Sequence, residues 1–215
     1  TPTMESNPGE SPWQSFVDGL SFVRSRPVII SLLLLDLGAV LLGSYRALLP
    51  ILAAMLGVGA GGYGLLSAMP GVGSLIGAGF ILSLGDMKYK GLYTIFGVLG
   101  YSAALALLAL SPWFYLTLLA ASLLGATNSI QMIPRNSVIL AISPNALRGR
   151  VEAFRGMLAG GGPPLGYALS GGMAAALSAP LALVIGAAAC ALLVAGIGIT
   201  HSKLHDPYLG STDNR

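Results

Sequence analysis

The chain has 215 residues, 54% hydrophobic and only 9% charged, with 30 glycines, 13 prolines, a formal charge of +3 and a mean hydropathy of +0.79. A soluble domain carries about 25% charged residues, so this composition places the chain in a bilayer. At about 20 apolar residues per membrane helix, the length holds roughly six spans and leaves no room for a folded enzyme domain beside them.

The lone Cys190 excludes an intramolecular disulfide or a cysteine metal cluster, and the only histidines, His201 and His205, lie in the C-terminal tail. No metal and no cofactor is therefore expected. The basic residues do not interleave with aromatics as a nucleic-acid groove requires, so nucleic acid is not an expected partner. A membrane enzyme needs a nucleophile with its base, or clustered acids and histidines, and the apolar segments offer no histidine and a single central acid.

Residues 1–10 are a polar linker rich in Ser, Pro and Gly, without the basic-then-apolar layout of a signal peptide. Ser11, Pro12 and Gln14 then predict a helix start, with Ser11 as N-cap, Pro12 at the first helical position and Gln14 closing a capping box. Trp13, Phe16, Val17 and Leu20 recur at helical spacing, which predicts an amphipathic interfacial helix over 11–25; a plain juxtamembrane anchor is the alternative. Six apolar segments follow within 27–200, at about 27–53, 62–85, 91–111, 113–141, 151–175 and 179–200, and a tail covers 201–215.

The basic residues set the orientation. Arg24 and Arg26 precede the first segment, Lys88 and Lys90 join the second to the third, Arg148 and Arg150 join the fourth to the fifth, and Lys203 and Arg215 lie in the tail. The other three connections carry no charge. Because Lys and Arg are retained in the cytoplasm, this alternation predicts six spans with both termini inside.

Asp36, Arg46 and Arg135 fall within apolar segments. Such a charge costs at least about 2.5–3.5 kcal/mol near the bilayer centre, so it should face a cavity or a partner. In a straight helix Asp36 and Arg46 lie about 15 Å apart along the axis, too far to pair. Asn128 and Gln131 share one helix face with their three-residue spacing. These five residues are expected to line a polar path that binds substrate or a coupling ion. The alternatives are that Arg46 snorkels to the outer interface and that Arg135, beside Pro134, holds a kink.

Glycine and proline carry a second signal. In the second segment Gly73 and Gly77 have the small-xxx-small spacing of closely packed helices. In the fifth, Gly160, Gly162, Pro163, Pro164 and Gly166 predict a hinge, where the span bends or partly unwinds at mid-membrane.

The six-segment layout, the inside turn Ser83-Leu84-Gly85-Asp86-Met87-Lys88-Tyr89-Lys90 and the inside turn Ser143-Pro144-Asn145-Ala146-Leu147-Arg148-Gly149-Arg150-Val151 resemble the C-terminal half of a major facilitator superfamily transporter. The likeness covers about residues 12–200 and is to the enterobactin-exporter-like branch of siderophore and drug exporters. It implies an all-α membrane protein whose six helices correspond to helices 7–12 of a twelve-helix fold. Asp86 with Lys88 and Lys90 resembles that superfamily's cytoplasmic gating motif, with Leu82 in place of the leading Gly, and Arg148 and Arg150 are the candidate partners of Asp86 across the inner gate. Gly162-Pro163-Pro164-Leu165-Gly166 is similar to the core of its antiporter motif, with Tyr167 in place of the final Gly.

The resemblance implies a multi-pass protein of the bacterial plasma membrane and a proton-coupled exporter of small amphipathic, siderophore- or drug-like molecules, working by alternating access. One half supplies one wall, so the expected partners are the lipid bilayer, a small-molecule substrate and an N-terminal six-helix half, in the same longer chain or in a second one. A non-transporting scaffold or assembly partner is the alternative function.

Overall fold

A computed structural model of the chain describes residues 27–85, 90–143 and 148–200. The proposed linker at 1–10, the amphipathic helix at 11–25, the tail at 201–215, and Asp86 and Lys88 lie outside the described residues. All regular structure among the described residues is helical: α1 (Pro27–Leu42), a 3₁₀ turn (Arg46–Leu48), α2 (Leu49–Met55), α3 (Gly59–Ser83), α4 (Lys90–Leu110), α5 (Phe114–Ile142), α6 (Arg148–Ala176) and α7 (Ala179–Thr200). Each of the six apolar segments is thus helical, with the first made of α1, the turn and α2 in series.

Five stretches are long and apolar enough to cross a membrane: Leu33–Met55, Gly59–Ser83, Lys90–Leu110, Phe114–Ile142 and Ala179–Gly196. Helix α6 is long, at 29 residues, but less apolar. Its first turns carry Arg148, Arg150, Glu152 and Arg155, and the remainder is dominated by Gly, Ala and Pro.

Local chemistry sets the ends of these helices. Gly57 and Gly59 take φ of 65° in the tight turn between α2 and α3, a region costly to any residue with a Cβ. Gly85, at φ 63°, closes α3, and its N–H donates to the Leu82 carbonyl. At the end of α5 the Ser143 hydroxyl donates to the Ile139 carbonyl, and Arg148 Nε donates to the carbonyls of Leu140 and Ser143. Trp113 and Tyr115, at the start of α5, are 72% and 82% exposed, the placement expected of aromatic anchors at a membrane boundary.

Packing between α3 and α5 is glycine-mediated. A Cβ on Gly73 or Gly77 would run into the α5 backbone at Ser122 and Ala126, and one on Gly125 into the Pro70 carbonyl. Ser74 donates to the Gly125 carbonyl (3.2 Å) and Ser129 to the Ser74 carbonyl (3.0 Å), tying the two helices together at the same level. The small-xxx-small pattern marks this contact correctly.

Two apolar cores form. One gathers Leu48, Leu52, Leu105, Leu108, Leu124 and Leu183. The other gathers Leu33, Leu35, Val98, Val138, Ile139 and Val194. Between these sets the first segment carries Asp36 and Ser44, and α5 carries Asn128, Ser129, Gln131, Arg135 and Asn136, so these two elements build a polar layer between the cores, while α4 and α7 stay apolar at that level.

Candidate functional site

At the level of the polar layer the first segment does not continue as one helix. Helix α1 stops at Leu42, Gly43 to Tyr45 are non-helical, and the chain resumes through the 3₁₀ turn at Arg46. A break at membrane depth frees backbone carbonyls that need donors. The Gly43 carbonyl accepts the Tyr101 hydroxyl of α4 at 2.7 Å and the Tyr45 N–H at 2.9 Å. The Val40 carbonyl accepts the Ser44 hydroxyl, and the Ala39 carbonyl accepts the Gly43 N–H at 2.9 Å. Two neighbouring helices leave room for the break: a Cβ on Gly166 of α6 would meet Ser44 and the Val40 carbonyl, and one on Gly186 of α7 would meet the Leu42 carbonyl.

Beside the break lies a pocket of about 150 Å³. The first segment contributes Asp36, Ser44, Tyr45 and Arg46 to its lining, and α5 contributes Asn128. Ser74 enters from α3, Tyr101 from α4, and Pro163 and Tyr167 from α6. The pocket thus draws on five separate segments of the sequence.

Asp36 does not stand alone. Its Oδ1 is 2.7 Å from Nη2 of Arg135 on α5, with the arginine side chain 5% exposed and the aspartate side chain 25% exposed. The pair lets an otherwise costly charge sit in the layer between the cores while one edge of Asp36 reaches the pocket. Arg135 therefore serves as the counter-ion of Asp36, and α5 continues unbroken through Pro134. One turn along, Gln131 Nε2 donates to Asn128 Oδ1 at 3.4 Å. Gln131 Oε1, Arg135 Nε and Asn136 Oδ1 are buried without a hydrogen-bond partner, so this stretch of α5 retains unused polar capacity.

Of the five residues expected to line a polar path, the structure brings Asp36, Arg46 and Asn128 into one pocket, with Gln131 and Arg135 behind it as partners of Asn128 and Asp36. The separation of Asp36 and Arg46 assumed a straight helix, and the break at Gly43–Tyr45 removes that assumption. Arg46 is exposed, with its guanidinium 5.9 Å from the centre of the Tyr45 ring.

The predicted hinge residues divide. Gly162 and Gly166 are buried against the first segment, Pro163 lines the pocket, and Gly160 and Pro164 are exposed. Helix α6 continues through both prolines, so the unwinding expected there is found at Gly43–Tyr45 instead. The buried glycines allow close approach to α1. Among the gating candidates, Lys90 opens α4, where its carbonyl accepts the Thr94 hydroxyl, and Arg148 caps α5.

Ser44, Ser74, Tyr45, Tyr101 and Tyr167 were not anticipated. Tyr101 was detectable: tyrosines favour the membrane boundaries, and this one lies in the middle of the Lys90–Leu110 helix, where its hydroxyl needs a buried acceptor.

The family model described as "Transmembrane secretion effector" matches residues 2–211. Enterobactin exporter EntS of Escherichia coli (strain K12) is 27% identical over 216 residues, covering 96% of this chain and 51% of the relative. The protein of the same name from Escherichia coli O81 (strain ED1a) is 27% identical over 190 residues, covering 88% and 45%. The chain spans about half the length of the curated relatives it matches. No solved structure matches it. With its apolar helices the chain is an integral membrane protein, and it belongs to the transmembrane secretion effector family of the major facilitator superfamily, a family of transporters.

Proposed function

We propose that the chain forms the C-terminal six-helix half of a secondary active exporter of small amphipathic molecules in the bacterial plasma membrane, with both termini cytoplasmic. The observation that carries this reading is the pocket itself. Five distant segments converge on a polar cavity between two apolar cores, with an ion pair at its edge. A chain that only had to pack would close that layer with apolar side chains. The kinship with the enterobactin exporters supports the export direction.

The pocket is one wall of the translocation path, and a six-helix N-terminal half supplies the other. The outer face of α6 supports such a companion. Gly156, Gly160, Pro164, Ala168, Gly172 and Ala176 recur every fourth residue and are all exposed, giving a stripe of small residues on which another helix can lie closely. Its low hydropathy also suits α6 to face protein or water, as the sixth span, rather than lipid. The same stripe would serve a scaffold, and efflux separates the two readings.

Coupling is assigned to Asp36. Protonation would release Arg135, and re-formation of the pair would follow proton loss, giving the two states that alternating access requires. The inner gate is assigned to Asp86, Lys88 and Lys90 with Arg148 and Arg150, and the hinge to the Gly160–Gly166 region.

The test is dye efflux from proteoliposomes holding the chain together with its N-terminal half, under an imposed proton gradient. 8-Anilinonaphthalene-1-sulfonate and ethidium serve as amphipathic probes of opposite charge. Asp36→Asn should abolish gradient-driven efflux while leaving downhill exchange. Coupling that survives the substitution removes Asp36 from the mechanism, and no efflux of either probe from the wild type favours the scaffold.

A further inference from the structure

We infer that the pocket selects anions, holding an aromatic carboxylate or a similar aromatic anion against Arg46. The inference rests on the reading of this pocket as the substrate site and adds the chemical class of the substrate.

The charge balance comes first. The acids among the described residues are Asp36 and Glu152, and each already has an arginine, Asp36–Arg135 at 2.7 Å and Glu152–Arg155 at 2.9 Å. The carboxylate of the pocket is therefore neutralised by a buried partner. Arg46 adds a guanidinium to the lining and has no acidic partner among the described residues; what it faces is the ring of Tyr45. A cation entering this pocket would meet Arg46 and find the only carboxylate engaged. An anion would meet a planar fork of donors suited to bidentate binding.

The hydrogen-bond inventory points the same way. The hydroxyls of Tyr101, Ser44 and Ser74 each donate to a backbone carbonyl, of Gly43, Val40 and Gly125. Each has spent its one proton and offers only lone pairs. On Asn128 the oxygen accepts from Gln131, which leaves the amide N–H groups as its remaining capacity. The pocket thus keeps Arg46 and Asn128 as donors for a ligand, with the hydroxyls of Tyr45 and Tyr167 also in its lining. Beside Arg46, the rings of Tyr45 and Tyr101 stand 6.5 Å apart at an interplanar angle of 60°, and Tyr167 completes an aromatic rim that suits a flat ring better than an alkyl chain.

The test is equilibrium dialysis of radiolabelled benzoate, benzamide and benzamidine against the full 215-residue chain in lipid nanodiscs. These probes share a ring and differ in charge. Benzoate should bind about tenfold or more tightly than benzamide, the scale of one charge-assisted hydrogen bond, with benzamidine weakest. Arg46→Gln should bring benzoate down to about the benzamide level and weaken benzamide far less, and Arg46→Lys should keep part of the preference. Added salt should weaken benzoate and not benzamide in the unsubstituted chain, a measurement independent of any variant. Benzamidine binding more tightly than benzoate, or a benzoate preference that survives Arg46→Gln, overturns the inference. Equal binding of the three probes overturns anion selection and spares the substrate-pocket reading; binding of none overturns both.

Discussion

The first segment breaks where it has no proline, and α6 runs unbroken through two. The difference lies in what surrounds each backbone. At Gly43–Tyr45 the freed carbonyls have donors, one of them a tyrosine from another helix, and the neighbouring glycines, Gly166 and Gly186, leave space for the displaced chain. At Pro163–Pro164 no side chain among the described residues donates to the freed carbonyls. Each proline removes one intrahelical bond and presses its ring toward a carbonyl one turn earlier, but Gly160, Gly161 and Gly162 carry no side chains to resist a small adjustment there. A membrane helix opens where its neighbours can satisfy it, and tolerates proline where they cannot.

The largest effect is expected where the first segment is anchored below its break. Arg135→Leu removes the counter-ion and leaves the Asp36 carboxylate against apolar neighbours. Losing one partner of a fully buried pair costs about 3–5 kcal/mol. The 25% exposure of the Asp36 side chain lowers the expectation to about 2–4 kcal/mol. Unfolding in mixed micelles measures it, and Asp36→Asn combined with Arg135→Gln should recover most of the loss. If the single variant is as stable as the parent, the ion pair does not anchor α1 and the break needs another explanation.

Gly166→Ala comes next, because it probes the contact between the two regions. Its methyl would meet the backbone carbonyl of Val40 as well as the Ser44 hydroxyl, and the backbone cannot swing aside. Overpacking of this kind costs about 1–3 kcal/mol. Gly160→Ala is the control: nothing lies within 4 Å of its Cβ, and alanine raises helix propensity by up to about 1 kcal/mol. Equal effects at both positions would mean that α6 does not seat on the break.

These residues show what was legible in the sequence. The helical segments were, because long apolar runs bounded by Gly, Pro and charges need no tertiary information; α3, α4 and α5 differ from the reading by three residues or fewer at each end. Asp36, Arg135, Asn128 and Gln131 were legible as a set, because polar groups at membrane depth are costly wherever they point. Their partners were not. That Asp36 meets Arg135, about a hundred positions away, depends on the bundle setting the two at one level within reach of a long arginine side chain. The break was invisible for the same reason: Gly43-Ser44-Tyr45 is a mild sequence, and its opening depends on Tyr101, Gly166 and Gly186, none of them near it in the chain.

Tyr101→Phe tests that dependence directly and with less force. It deletes the hydroxyl that reaches the Gly43 carbonyl and keeps the ring. One buried hydrogen bond contributes about 1 kcal/mol, so the unfolding free energy should fall by about that amount. The amide of Tyr45, which donates to the same carbonyl, should exchange faster with solvent deuterium. No change in either measurement would show that the break holds itself open without α4.

The smallest effect on stability is expected at Pro164, and it separates packing from motion in α6. Pro164 is exposed and lies inside a continuous helix, so Pro164→Ala restores an N–H and removes a ring without disturbing a buried contact. In the interior of a soluble helix that exchange would gain about 3 kcal/mol. Here the helix has already accommodated the ring beside three glycines, so the gain should be within about 1 kcal/mol of zero and never a loss. Efflux supplies the second coordinate. If the region is a hinge, stiffening it should slow transport while stability holds or rises, and the slowing should be greater for Pro163→Ala combined with Pro164→Ala than for either alone. If efflux is untouched in all three variants, the prolines are tolerated rather than used, and the break at Gly43–Tyr45 is left as the flexible element of this half.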